Sequence, residues 1–262
     1  MNHGVFIPPF DELADPEAVL EVARATEDAG WDGLFLWDHV QREEVRPVAD
    51  PWILMAAAAV VTEQIRIGPM VTPLVRRRPH KLAREVATLD HLSGGRLILG
   101  MGLGVDSARE LSAYGEVVDA RERGDMLDEG LALLRGLLSG KPVDHDGEHY
   151  KAERVQLLPT PLQERVPIWM AARTTAARPL RRAAGEDGLF IIEQGPPEIA
   201  SMLEVVAAER GHLEGFDVAA VADPTADALD YARAGVTWWM ESFWPGESLL
   251  DVLDAVRAGP PE

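Results

Sequence analysis

The sequence predicts an α/β fold, a parallel (β/α)8 barrel, on three observations. Eight short apolar runs recur along the chain, and a helical pattern follows each. That alternation builds a parallel sheet covered by helices. The length, 262 residues, suits one such barrel, typically about 250 residues. Glycine and proline also gather where strands end, at Gly68-Pro69 and from Gly100 to Gly104. Barrel chemistry sits at those carboxyl ends.

Val5-Phe6-Ile7 is the first strand, stopped by Pro8-Pro9. Asp15 caps a helix with Pro16 at its first position and Glu17 in its first turn, and Gly30 ends it. Gly33 to Trp37 is the second strand, finishing on Asp38-His39. Asp50-Pro51 opens a helix through Val61, and Ile65 to Met70 is the third strand. Pro79 starts the next helix, with Leu82, Val86, Leu89 and Leu92 at helical spacing. Arg96 to Gly100 is the fourth strand, residues 105–120 form a loop, and Arg121 to Ser139 is an amphipathic helix.

Residues 141–165 interrupt the alternation. Asp146-Gly147 is a hairpin turn signal between Val143 and Tyr150. The segment reads as a hairpin and loop inserted between strands four and five. Val166 to Ala171 is strand five, followed by a helix from Thr175 to Ala184. Asp187 to Ile192 is strand six, and Glu198 to Arg210 its helix. Val218 to Ala222 is strand seven, and Thr225 to Ala234 its helix. Val236 to Glu241 is strand eight, and Leu249 to Ala258 closes the chain. With no tandem repeat or low-complexity linker, residues 1–262 read as a single domain.

Composition narrows the function. A hydrophobic content of 47% supplies a sizeable core, and a net charge of -19 repels nucleic acid and anionic lipid. No apolar run reaches membrane-spanning length, and the first residues lack a signal peptide's charged and apolar regions. A cytoplasmic protein is expected. Without cysteine there are no disulfides or thiolate metal sites. The histidines form no His-x-His or His-Glu-x-x-His pattern, so no metal is expected. A Gly-x-Ser-x-Gly elbow is also absent.

The strand ends hold the candidate chemistry. Asp38 offers a carboxylate to a ring N–H, and the imidazole of His39 can move protons; the alternative is a pair that caps the next loop. Gly102 and Gly104 let backbone approach a ligand, or else mark a tight barrel corner. Ala172, Arg173 and Thr174 lead into a helix N-terminus, a phosphate cradle or an ordinary Thr cap. Gln194 and Gly195 lie beyond the next strand. Arg76 to Arg78 make a local basic spot suited to a small anion, or simply solubilise a turn. One indole of Trp238-Trp239 should face the barrel interior and the other the helices.

Leu34 to His39, Gly68 to Pro73, Arg78 to Asp90, and Leu92-Ser93-Gly94-Gly95-Arg96 to Gly104 resemble the bacterial luciferase-like family. That family comprises flavin-dependent oxidoreductases, among them FMN-dependent monooxygenases and enzymes using the deazaflavin F420. The resemblance implies a barrel with flavin in its carboxyl-end mouth. It also implies a bulge at Met70, Val71 and Thr72 behind the ring, with a cis peptide at Met70–Val71. Asp38 and His39 match a pair frequent in F420 users. Ala172 to Thr174 and Gln194-Gly195 match the segments that hold the cofactor phosphate.

Two departures stand out. Val105-Asp106-Ser107-Ala108 lacks the acidic-then-amide pattern of the F420-dependent sugar-phosphate dehydrogenases. The loop after strand seven is nearly absent. The function implied is hydride transfer or oxygen activation on a small organic substrate, with F420 favoured over FMN. An FMN enzyme would need a flavin reductase, and a homodimer is the prior. The alternatives are a non-catalytic flavin carrier and a flavin-free phosphosugar lyase or isomerase.

Overall fold

In the computed structural model, which describes residues 1–221 and 227–261, nine strand segments form one parallel sheet. β1 (Asn2–Ile7), β2 (Gly33–Leu36) and β3 (Arg66–Pro69) are separated by α1 (Pro16–Asp28) and α2 (Pro51–Val61). β4 (Thr72–Pro73) follows at once, and α3 (Pro79–Leu92) leads to β5 (Leu99–Gly102). α4 (Ala120–Leu138) precedes an antiparallel hairpin of β6 (Val143–Asp146) and β7 (Lys151–Val155). β8 (Ile168–Ala172), α5 (Ala177–Ala184), β9 (Gly188–Ile191), α6 (Pro196–Arg210) and β10 (Asp217–Val221) resume the alternation. α7 (Ala228–Arg233), β11 (Trp238–Ser242) and α8 (Leu249–Arg257) complete it. The expected end of strand seven at Ala222 and helix start at Thr225 lie outside the described residues.

The sheet runs β3-β2-β1-β11-β10-β9-β8-β5-β4. β3 and β4 are two halves of one stave, and a parallel bridge between Ile67 and Leu97 brings the sheet's ends together. Eight staves therefore close into the expected barrel. The third stave differs from the continuous strand read from sequence. It breaks at Met70–Val71, and that peptide is cis, at the expected position. Pro69 has no N–H for the ladder. Gly100 lets the neighbouring stave approach the break: a Cβ there would lie 2.3 Å from the Pro69 carbonyl oxygen.

Caps set the helix starts. Asp15 and Asp50 accept backbone N–H groups just ahead of first-position prolines. Asp119 does the same for α4, which begins at Ala120. α6 begins two residues earlier than expected, because Pro196 and Pro197 suit a first turn. The hairpin is clasped by Glu129, which accepts N–H groups of Glu148, His149 and Tyr150 and pairs with His145 at 3.0 Å. Burial raises the Glu129 pKa, but the His149 amide, His145 and the Tyr150 amide outweigh it and hold it at about 2. The following loop is pinned to α3, where Asp90 accepts the Gln163 N–H and side-chain amide at 2.9 and 2.7 Å.

The core has two layers. Aliphatic side chains fill the space between staves and helices. Inside the barrel the packing is aromatic: Phe6, Phe35, Trp169, Phe190 and Trp238. Trp238 faces inward, 5.4 Å from Trp169, and Trp239 faces out, edge-on to Tyr231 at 5.3 Å. This is the split that strand alternation requires. At the barrel's amino end, Trp169 donates its indole N–H to Asp217 Oδ2 at 3.2 Å.

Candidate active site

Trp37 prolongs β2 by donating its N–H to the Ile7 carbonyl, which sets Asp38 and His39 at the barrel mouth. Asp38 is only 4% exposed, and its carboxylate is fully engaged. Oδ2 accepts from Thr72 Oγ1 at 2.7 Å, Trp52 Nε1 at 3.2 Å and Arg77 at 3.1 Å. Oδ1 accepts from Arg76 at 3.1 Å. The basic spot expected at Arg76 to Arg78 is therefore largely neutralised internally. Arg76 pairs with Asp38 and Glu110, and Arg77 with Asp38 and Glu85. These are neither free cations for an anion nor solubilising surface arginines.

His39 Nδ1 lies 2.8 Å from Glu110 Oε2. Glu110 is 3% exposed, and its Oε1 accepts the Val40 N–H at 2.7 Å and Arg76 at 3.1 Å. Burial opposes its charge. The His39 bond and charge, the Val40 amide and Arg76 together win, and hold the carboxyl below the ordinary carboxylate range. Glu110 lies in the loop expected over residues 105–120, where no site residue is marked by the sequence. Its signal was faint: one acidic residue six positions beyond Gly104. Asp106 shapes that loop by accepting the Leu111 and Ser112 N–H groups.

Aromatic rings flank His39, with Phe10 at 6.0 Å and Trp37 at 5.9 Å. Trp244 stands edge-on to Trp37 at 5.5 Å. It also lines a cleft of ≈ 450 Å³ beyond the ends of β9, β10 and β11, with Ile192, Gln194, Val221, Met240 and Ser242. Two buried donors near this mouth, Trp37 Nε1 and Ser242 Oγ, have no partner among the described residues.

The two expected phosphate segments meet. Gln194 donates its amide to the Arg173 carbonyl at 3.0 Å, and the Ile192 N–H bonds the Ala172 carbonyl at 3.1 Å. Arg173 pairs with Glu193 at 2.5 Å, and Thr174 Oγ1 accepts the Ala176 N–H. The α6 start offers few donors, because Pro196 and Pro197 follow Gly195 and carry no N–H. Gly102 and Gly104 face the bulged stave. A Cβ on Gly102 would lie 2.9 Å from Val71 Cγ2, and one on Gly104 2.9 Å from Pro73 Cβ. Val71, Ala171, Ile192 and Val221 are each partly buried and packed against the aromatic interior. Among the described residues no group of side chains could hold a metal ion, and no helix is long and apolar enough to cross a membrane.

Fold and site define a parallel barrel with Asp38, His39, Thr72 and Glu110 gathered at the carboxyl-end mouth. The chain belongs to the luciferase-like monooxygenase family, whose model matches residues 1–256. An uncharacterized protein of Mycobacterium tuberculosis is 31% identical over 193 residues, 67% of this chain and 66% of that protein. An F420-dependent glucose-6-phosphate dehydrogenase of Mycolicibacterium smegmatis is 33% identical over 221 residues, 82% of this chain and 62% of that enzyme. The chain thus spans less than two thirds of these relatives' length. Among solved structures, an F420-dependent secondary alcohol dehydrogenase with an F420-acetone adduct superposes with a TM-score of 0.83. Its identity is 19%, over 99% of this chain and 98% of that one. The FMN-bound oxygenating component of 3,6-diketocamphane monooxygenase from Pseudomonas putida gives 0.70 at 21%, over 84% and 66%. At these identities the likeness is one of fold.

Proposed function

We propose that the chain is an oxidoreductase that binds F420, or failing that FMN, in the barrel mouth and acts on a small organic substrate. The observation that carries this is the His39–Glu110 pair, joined through Trp37 and Trp244 to a cleft of ≈ 450 Å³. That volume lies within the usual range of small-ligand sites, about 300–1,000 Å³. The unpartnered Trp37 and Ser242 donors suit a ligand with a polar edge. When bound, F420 would supply hydride chemistry, and FMN hydride or oxygen chemistry, that no side chain offers.

The protein's part is binding and proton handling. Val71, Ile192 and Val221 would support the ring from below, with Met70 and Thr72 shaping the bulge. Ala172, Arg173, Thr174, Gln194 and Gly195 would hold the phosphate, with Arg173 exchanging Glu193 for it. Gly102 and Gly104 would act indirectly, by admitting the bulge. Asp38 would act by fixing the bulge through Thr72, since its oxygens are already engaged. His39 would pass the substrate proton. F420 is favoured over FMN by the relatives' names and by this proton-handling pair; an FMN enzyme would also need a flavin reductase. Titration with each cofactor separately tests the reading. Quenching of F420 fluorescence without FMN retention supports it, and binding of neither removes it.

A further inference from the structure

We propose that the cleft beyond β9, β10 and β11 selects a substrate that carries an organic cation, an amine ionised at neutral pH, and that Glu241 specifies the charge. This deepens the functional reading and rests on the mouth being a ligand site. The cleft is lined by two carboxylates, Glu193 and Glu241, and among the described residues by no lysine, arginine or histidine. Past Arg182 the chain has no lysine, and its arginines are Arg210, Arg233 and Arg257. Glu193 is engaged by Arg173. Glu241 is partly buried near the end of β11 and makes no hydrogen bond or ion pair among the described residues.

Two buried polar atoms point to a ligand in the same place. Ser242 Oγ and Trp239 Nε1 belong to lining residues and have no partner, and Trp239 is 5% exposed. Buried polar atoms are normally paired, so an occupant of the cleft should complete them. The Ser242 hydroxyl can accept from an ammonium, and the Trp239 N–H takes an acceptor atom on the same ligand. Trp244 forms an aromatic wall, 55% exposed, and an indole face attracts a cation. These features agree in sign. A carboxylate or phosphate would meet Glu241 without a counter-charge, since Arg173 is held by Glu193. A neutral substrate would desolvate Glu241 and give it no charged partner. The net charge of -19 adds a field of the same sign at longer range.

Three probes of similar shape test the sign on the cofactor-free full chain, each titrated by ligand-observed NMR. Benzylamine is a cation at neutral pH, benzyl alcohol is neutral and phenylacetate is an anion. Benzylamine should bind about tenfold more tightly than benzyl alcohol, the ratio for one charge-assisted contact, and phenylacetate should bind most weakly. Glu241→Gln keeps the shape and removes the charge. It should abolish the benzylamine advantage and leave benzyl alcohol unchanged. Trp244→Ala should weaken benzylamine and benzyl alcohol alike, which locates both in the cleft. Phenylacetate binding as tightly as benzylamine overturns the proposal, even if Glu241→Gln fails to fold. So does an advantage that survives Glu241→Gln, an unchanged affinity in Trp244→Ala, or no binding of any probe. No cofactor is present, so failure to bind F420 or FMN would end the functional reading and leave this charge selection standing.

Discussion

Thr72 Oγ1 donates to Asp38 Oδ2 at 2.7 Å, across the gap left where the third stave breaks. Both residues are buried, and Asp38 also accepts from Trp52 on α2 and from the two arginines beyond β4. One carboxylate thus ties a strand end, a helix and the bulge together. The geometry that a ring would meet is set by a residue that need not touch it.

Asp38→Ala should accordingly cost stability as well as ligand binding. It removes a buried acceptor shared by Arg76, Arg77, Trp52 and Thr72, and leaves the Thr72 hydroxyl without one. Removing one partner of a buried pair costs about 3–5 kcal/mol. Urea unfolding measures it. Asp38→Asn, which keeps one acceptor, should lose less. An Asp38→Ala loss below about 1 kcal/mol would mean that the network does not hold the mouth together.

Gly100→Ala tests the break itself. The added Cβ would sit 2.3 Å from the Pro69 oxygen and 2.5 Å from Met70 Sδ. Overpacking of this kind costs about 1–3 kcal/mol. Gly185→Ala is the control, since its Cβ would meet only the Arg182 carbonyl, at 3.5 Å. Gly100→Ala should lower the urea midpoint and weaken cofactor retention, and Gly185→Ala should do neither. Equal effects at both positions would deny Gly100 its part in admitting the bulge.

Much of this fold was legible because alternation and caps are local signals. Asp15-Pro16 and Asp50-Pro51 announce helices within a few residues. Asp146-Gly147 announces the hairpin in the same way. The site was legible only by position. Asp38 and His39 could be placed at a strand end, but not their partners, because Glu110 lies 71 residues from His39 and Arg76 lies 38 from Asp38. Runs of arginine read alike whether exposed or paired, and only packing shows that Arg76 and Arg77 are engaged.

Asp217 gives a pH-dependent prediction. Burial raises its pKa from 3.8, although bonds from Trp169 and Trp238 oppose the shift. The folded state therefore holds this proton to higher pH than the unfolded state. Stability from this group is complete below 3.8 and falls as pH rises through the raised folded value. Urea midpoints measured across that window should decline in the wild type relative to Asp217→Asn, which has no such proton. Parallel curves for the two proteins would refute the assignment.

Trp37→Phe separates a donor kept for a ligand from one kept for the fold. Trp37 is 9% exposed, and its Nε1 has no partner among the described residues. A buried unmet donor costs about 1–3 kcal/mol, so its removal offsets the packing lost with the smaller ring. Stability should change by less than about 1 kcal/mol. If a bound ligand completes that donor, its affinity should fall by about 0.5–1.5 kcal/mol. Trp52→Phe is the opposite case, because its indole N–H already serves Asp38 and Thr72 at 3.2 and 3.1 Å. It should lose about 1–3 kcal/mol of stability with or without ligand. If urea unfolding and cofactor titration show the same loss profile for both variants, the Trp37 donor belongs to the fold and not to the site.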